Sequence, residues 1–225
     1  MFDIERPAHA ESVGNPIGKV QRYLFDAREF RTLAPDQNLA RALDDHVVLA
    51  PHDPCWAAAF AAERDRLLAG LAGRLLEIRH FGSTAVPGLS AKPVIDLIVG
   101  VASIAQADEL IPALCELGYH HPVQVSAGLA DRRWLFRHRD GRRTHQLHLV
   151  EHEGPAWRDR VGFCELLKAD PGLRDRYDRL KRELAARFAE DRDAYNAHKQ
   201  AFVVSAVRHA TGSERSVPCL PYPLA

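Results

Sequence analysis

Apolar positions follow two rhythms along this chain, and each rhythm marks a kind of element. Over residues 56–76, Trp56, Phe60, Leu67, Leu68 and Leu71 fall on one side of a helix. Asp53, in the turn Pro51-His52-Asp53-Pro54, stands as its N-cap. Val47-Val48-Leu49 reads as a short strand, and residues 77–81 read as another. Residues 94–101 form a nearly unbroken aliphatic run, the pattern of a strand buried on both faces. A helix follows over 105–117 with Gly118 as its stop, then a strand around 119–125 and a loop over 126–130. From Arg158 to about Ala210 the spacing is helical. Asp170-Pro171-Gly172 interrupts it once, separating helices over 173–188 and 193–209.

This order predicts an α+β fold, a small mixed β-sheet covered by helices with a C-terminal helical segment. Residues 46–210 form the predicted domain. Residues 1–45 mix charges with Pro7, Pro16 and Pro35 around a weak helical stretch at 18–33, and read as an N-terminal appendage. Residues 211–225, with Pro218, Pro221 and Pro223, read as an irregular tail.

Asp140-Gly141 between two strand-like runs predicts a two-residue hairpin. In the register such a turn sets, Arg139 opposes Arg142, Arg137 opposes Thr144, Leu135 opposes Gln146 and Arg133 opposes His148 on a basic face. Trp134 with Leu147, Phe136 with His145 and Arg132 with Leu149 share the core face. The concentration of arginine points to an anion site.

Composition narrows the picture. Thirty basic residues balance thirty acidic ones, so global charge selects neither nucleic acid nor membrane as partner. Cys55, Cys115, Cys164 and Cys219 are scattered without metal spacing and read as reduced thiols. The opening residues carry Asp3, Glu5 and Arg6 without an apolar core, unlike a signal peptide, and no run is long enough to span a bilayer. A soluble cytoplasmic protein is expected.

Candidate chemistry centres on Asp96, a lone carboxylate inside the aliphatic strand 94–101, because ionised carboxylates are seldom buried without a partner or a metal. A Gly82-Ser83-Thr84 turn precedes it. The string His80-Phe81-Gly82-Ser83-Thr84-Ala85-Val86-Pro87-Gly88-Leu89, then Lys92-Pro93-Val94-Ile95-Asp96, Phe136-Arg137, Thr144-His145-Gln146-Leu147-His148, Tyr195 and Lys199, resembles the GrpB-like family of the nucleotidyltransferase superfamily. The resemblance covers roughly residues 47–209.

It implies a nucleotidyltransferase-like fold in which the turn holds nucleotide phosphate and strand carboxylates hold divalent metal. ATP or another nucleoside triphosphate is the implied substrate, bound by Gly82, Ser83, Thr84, Lys92, Arg133, Arg137 and Lys199. Asp96 and Ser83 are the implied catalytic residues. Asp96 and His148 are the implied holders of Mg²⁺ or Mn²⁺, with the imidazole shifting preference toward Zn²⁺. A small-molecule acceptor would receive the nucleotidyl group. The superfamily pattern pairs two carboxylates as Asp-x-Asp, whereas Val94 stands at the first position here, and Gln146 interrupts a His-His-x-His pattern.

Other readings remain beside this one. A non-catalytic nucleotide- or anion-binding module would tolerate Val94, and an adenylate-forming amide or ester ligase would use the same pocket. Asp96 could form a structural ion pair with Arg133 or Arg137. Ser83 and Thr84 could serve as helix caps. An RNA grip by the hairpin ranks third, since alternation separates Trp134 and Phe136 from Arg133, Arg137, Arg139 and Arg142.

Overall fold

The structure, a computed structural model, describes residues 47–123 and 129–211. The expectations for residues 1–45, for loop residues 126–128 and for the tail beyond 211 lie outside the described residues. The elements are α1 (Cys55–Gly70), β1 (Glu77–Phe81), a 3₁₀ turn (Ser83–Ala85), β2 (Ile95–Val101), α2 (Ile104–Glu116), β3 (Arg132–Arg139), β4 (Arg142–Glu151), α3 (Pro155–Ala169), α4 (Pro171–Arg187) and α5 (Arg192–Thr211). Among the described residues no helix is long and apolar enough to cross a membrane.

Local chemistry sets the helix starts. Asp53 Oδ1 accepts from the Cys55 N–H at 2.8 Å, Ser103 Oγ from Gln106 at 3.2 Å, and Asp170 Oδ1 from Leu173 at 2.9 Å. Each satisfies a backbone donor that the first helical turn leaves without an intrahelical partner. Pro155 and Pro171 occupy the first turns of α3 and α4, where a missing N–H costs nothing.

The four strands lie in the order β1-β2-β4-β3, with β2 and β4 parallel and the outer pairs antiparallel. A mixed α+β architecture is thus present as the pattern predicted. Helices α1 and α2 cover one face, where Leu97, Val99, Val101, Leu135, Leu147 and Leu149 pack against Leu67, Leu110 and Leu114. The opposite face packs Phe81, Ile98 and Val150 against Ala156 and Trp157 of α3. All seven residues of β2 are buried, which explains an aliphatic pattern broken only by Asp96 and Gly100.

Four expectations need correction. Residues 47–49 form no strand, and Ala50 alone makes an isolated bridge with Ala91. Helix α1 stops at Gly70 rather than near residue 76, because the chain turns Leu71 into the core and Leu76 already donates to Gly100 of β2 at 2.9 Å. Over 119–123, the described part of the strand expected near 119–125, His120 makes a single bridge to Phe136 instead.

The hairpin registers as expected only at its tip. A bulge between Arg137 and His138 leaves Thr144 as the extra residue, so Arg137 opposes His145, Phe136 opposes Gln146 and Trp134 opposes His148. One inserted residue exchanges the faces of everything beyond it. Arg132, Trp134, Phe136, Gln146 and His148 therefore share one face. Arg133, Leu135, Arg137, His145 and Leu147 share the other, and the sheet has no face left open to water along its centre.

Candidate functional site

At the β1 end of the face shared by Gln146 and His148, the sheet and helices α3, α4 and α5 enclose a cleft. Its floor begins at Gly82, which follows the β1 residue Phe81 opposite Asp96 in register. Gly82 adopts φ 73° and ψ −172°, a conformation essentially closed to residues with a side chain. That backbone lets the Asp96 carboxylate lie directly against the glycine. Ser83 and Thr84 continue into the 3₁₀ turn. The buried Thr84 hydroxyl is engaged inside the fold, 3.0 Å from His80 Nε2 and 3.4 Å from the Val94 carbonyl it donates to.

The walls are cationic. Lys92, Arg132, Arg160, Lys181, Arg192 and Lys199 line the cleft, and Asp96 is the one carboxylate among the described lining residues. Behind the wall, Asp131 pairs with Arg132 at 3.0 Å and with Arg160 at 3.6 Å, and Asp178 lies 3.9 Å from Lys181 Nζ. Lys181 is wholly buried, donates to the Ser90 carbonyl, and has its pKa pulled down to about 7, chiefly by burial.

Helix α5 presents an unusual face. Arg192, Tyr195, Asn196, Lys199, Gln200 and Val203 recur at helical spacing and all turn toward the cleft. A stripe at this spacing is apolar when it only packs. Here the amide nitrogens of Asn196 and Gln200 are buried without a hydrogen-bond partner, as are both ring nitrogens of His148. Burial holds the His148 pKa well below the ordinary imidazole value, with Arg132 and Arg160 adding to the effect, so the ring is neutral. Phe81 packs edge-on against it, 5.2 Å between centroids. Gln146 is occupied differently, its Oε1 accepting from Trp134 Nε1 at 3.1 Å.

The structure thus brings Gly82, Ser83, Thr84, Lys92, Asp96, His148 and Lys199 together in one cleft. Arg133 and Arg137 do not join them. The bulge places both on the opposite face, where Arg133 Nε donates to Asp108 at 2.6 Å and Arg137 Nη1 to Glu63 at 2.5 Å. That placement also removes them as ion-pair partners of Asp96. Trp134 and Phe136 are completely buried, so they offer no surface for stacking on RNA bases.

Arg132, Arg160, Lys181, Arg192, Asn196 and Gln200 are lining residues that the sequence pattern did not single out. The α5 stripe was visible as polar residues at i, i+4, i+7 and i+8. Arg132 was hidden by the bulge, which alternation cannot reveal.

The residues fit a resident two-metal centre poorly. Among the described residues no three His, Cys, Asp or Glu side chains gather as ligands, and Asp96 and His148 are the two donors of the implied set. Arg132 and Arg160, which already disfavour a proton on His148, would equally disfavour a dication there. A divalent ion has too few anionic partners in this wall for a site of the protein's own.

A four-stranded mixed sheet covered by helices carries the cleft, and the family this chain matches lies in the nucleotidyltransferase-like superfamily. The chain belongs to the GrpB family: the profile described as "GrpB protein" matches residues 46–209. The Glutamate-rich protein GrpB of Alkalihalophilus pseudofirmus is 33% identical over 159 residues, 70% of this chain and 91% of that protein. A protein of Mycolicibacterium paratuberculosis named dephospho-CoA kinase is 33% identical over 226 residues, covering 89% of this chain but only 55% of its own length. Among solved structures, the conserved protein GrpB from Enterococcus faecalis superposes with a TM-score of 0.64 at 28% identity, covering 73% of this chain and 99% of that one.

Proposed function

We propose that this protein binds the phosphate chain of a nucleoside triphosphate in the cleft and transfers the nucleotidyl group to a small-molecule acceptor. The observation that carries the reading is the convergence of lysines and arginines around one carboxylate, Asp96, beside the Gly82-Ser83 turn. Cations of this kind bind phosphate oxygens and stabilise the charge that develops on them during transfer. The acceptor oxygen attacks the α-phosphorus, its proton passes to Asp96, and the bond to the bridging oxygen breaks to release pyrophosphate. Ser83, at the rim of the turn, donates a hydrogen bond to the phosphate chain. The likeness to a protein named dephospho-CoA kinase fits a nucleotide-handling role.

One observation favours a second reading. Val94 stands where the superfamily's first carboxylate would be, and it lines the cleft as a buried apolar side chain. A module that binds the nucleotide without turning it over would have this composition.

Calorimetric titration of ATP, GTP, CTP and UTP, followed by pyrophosphate-release assays against an acceptor panel, tests both. Binding with pyrophosphate release supports transfer. Binding with no release, and none gained by Val94→Asp, supports the binding module. Failure of every triphosphate to bind overturns the nucleotide reading.

A further inference from the structure

We propose that the cleft holds its polyphosphate directly on the protein's own cations and amide donors, with α5 as the principal clamp and no divalent metal bound by the protein. The inference rests on the phosphate-binding reading above and says how that site neutralises its ligand.

Charge is the first argument. Arg132 comes from β3, Arg160 from α3, Lys181 from α4, Arg192 and Lys199 from α5, and Lys92 from the segment before β2. Among the described lining residues these six basic side chains stand against one carboxylate, Asp96, with Asp131 and Asp178 pairing to Arg132, Arg160 and Lys181 from behind the wall and Lys181, at a pKa of about 7, only partly charged at neutral pH. Metal-dependent phosphate sites have the opposite balance, because anionic side chains must first gather the metal that then meets the phosphate.

Donor chemistry is the second argument. Asn196 is only 7% exposed, and its amide nitrogen, like that of Gln200, has no hydrogen-bond partner. An amide NH₂ cannot ligate a metal, but it donates to an oxygen. A buried donor left unsatisfied costs about 1–3 kcal/mol, so two on one helix face mark a place where acceptor oxygens belong. Lys199 lies between them on the same face, and Arg192 stands one turn before Asn196. Together they offer amide, ammonium and guanidinium donors along a helix face, a spacing that suits a chain of phosphate groups better than a single anion.

The third argument is His148. Its buried neutral ring lies at the back of the cleft beside Arg132 and Arg160, and neither nitrogen is held by a second group. Metal-ligating histidines almost always have their other nitrogen oriented by a carboxylate, carbonyl or water. Among the described residues no such partner holds this ring.

The test is calorimetric titration of inorganic tripolyphosphate and of the four nucleoside triphosphates into the full chain, in EDTA and again in excess Mg²⁺. Lys199→Gln and Gln200→Ala are run beside wild type, with circular dichroism to verify their folding. Affinity in EDTA should lie within about threefold of that in Mg²⁺, or exceed it, because Mg²⁺ masks ligand charge. Lys199→Gln should weaken tripolyphosphate binding by about tenfold and flatten its salt dependence, as loss of a charged hydrogen-bonding partner does. Binding that appears only with Mg²⁺ overturns the inference and leaves the nucleotide reading standing. Tripolyphosphate binding without binding of any nucleotide upholds the inference and sinks the nucleotide reading. Unchanged affinity in folded Lys199→Gln and Gln200→Ala overturns the role of α5.

Discussion

A side chain at position 82 would stand in space that Asp96 already occupies: a Cβ on Gly82 would overlap Asp96 Oδ2 and lie 3.1 Å from both Cβ and Cγ of that residue. The close approach requires the absence of a side chain, and the left-handed φ of Gly82 requires it independently. Gly82 and Asp96 are therefore one structural unit. The glycine makes the pocket wall, and the carboxylate is seated by it.

Gly82→Ala should then destabilise the fold by about 1–3 kcal/mol, and it should weaken phosphate binding in so far as the turn that holds the phosphate chain is the part that moves. Gly162→Ala is the control. Gly162 lies within α3, a Cβ added there would meet nothing within 4 Å, and its φ is not left-handed. Alanine there should be neutral or stabilising by up to about 1 kcal/mol. Thermal unfolding of the two variants measures the contrast.

The hairpin bulge predicts a difference between neighbouring arginines. Arg133→Gln removes a pair with the half-exposed Asp108 on the far face and should leave tripolyphosphate affinity within about twofold, with a stability loss under about 1 kcal/mol. Arg160→Gln alters the cleft wall and should weaken that affinity by about tenfold or more. Equal losses in the two variants would mean that the faces are assigned wrongly.

Lys181 makes stability pH-dependent in a defined direction. Its pKa falls from 10.5 in the unfolded chain to about 7 in the fold, so between these values the unfolded state binds more protons. Stability therefore rises with pH over that window and the penalty of burying the charge is greatest below pH 7. Urea unfolding of wild type and Lys181→Met should show the wild type gaining on the variant by a few kcal/mol as pH rises from about 7 to about 10. A difference independent of pH would contradict the shift.

Glu63 gives a second window of the same sign, at acid pH, on the far face. Burial works against its charge, but hydrogen bonds from Arg66 and Tyr119 outweigh this, and its pKa is lowered. Tyr119 Oη donates at 2.6 Å, and Arg66 and Arg137 each donate at 2.5 Å. The stabilisation is present above the ordinary glutamate value and is lost as pH falls through the lowered one. Glu63→Gln should cost about 1–3 kcal/mol at pH 7, with the deficit shrinking below pH 4 in acid-unfolding experiments.

Local signals were legible wherever chemistry is local. Asp170 caps its helix as a short polar side chain before an apolar-periodic run should, Asp53 stands one residue ahead of the N-cap Pro54 and still accepts from the Cys55 N–H, and Asp140-Gly141 makes the hairpin turn with positive φ at both residues. Asp96 stood out because a charge inside an aliphatic strand is costly, and the resemblance to GrpB supplied the turn that faces it. What stayed hidden was non-local. Thr144 enters the hairpin as a bulge that no alternation pattern announces, and it moved Arg133 and Arg137 out of the cleft and Arg132 into it. Arg160 and the α5 stripe required the packing of α3 and α5 over the sheet, which depends on contacts between residues far apart in the chain.

The most direct measurement is the calorimetric titration of nucleoside triphosphates into wild type and Asp96→Asn. At least one triphosphate should bind wild type and bind Asp96→Asn as tightly or more tightly, because the change removes the one carboxylate among the described residues lining a cationic cleft, while pyrophosphate release is lost. No binding of any triphosphate to wild type, or loss of binding in Asp96→Asn, would contradict it.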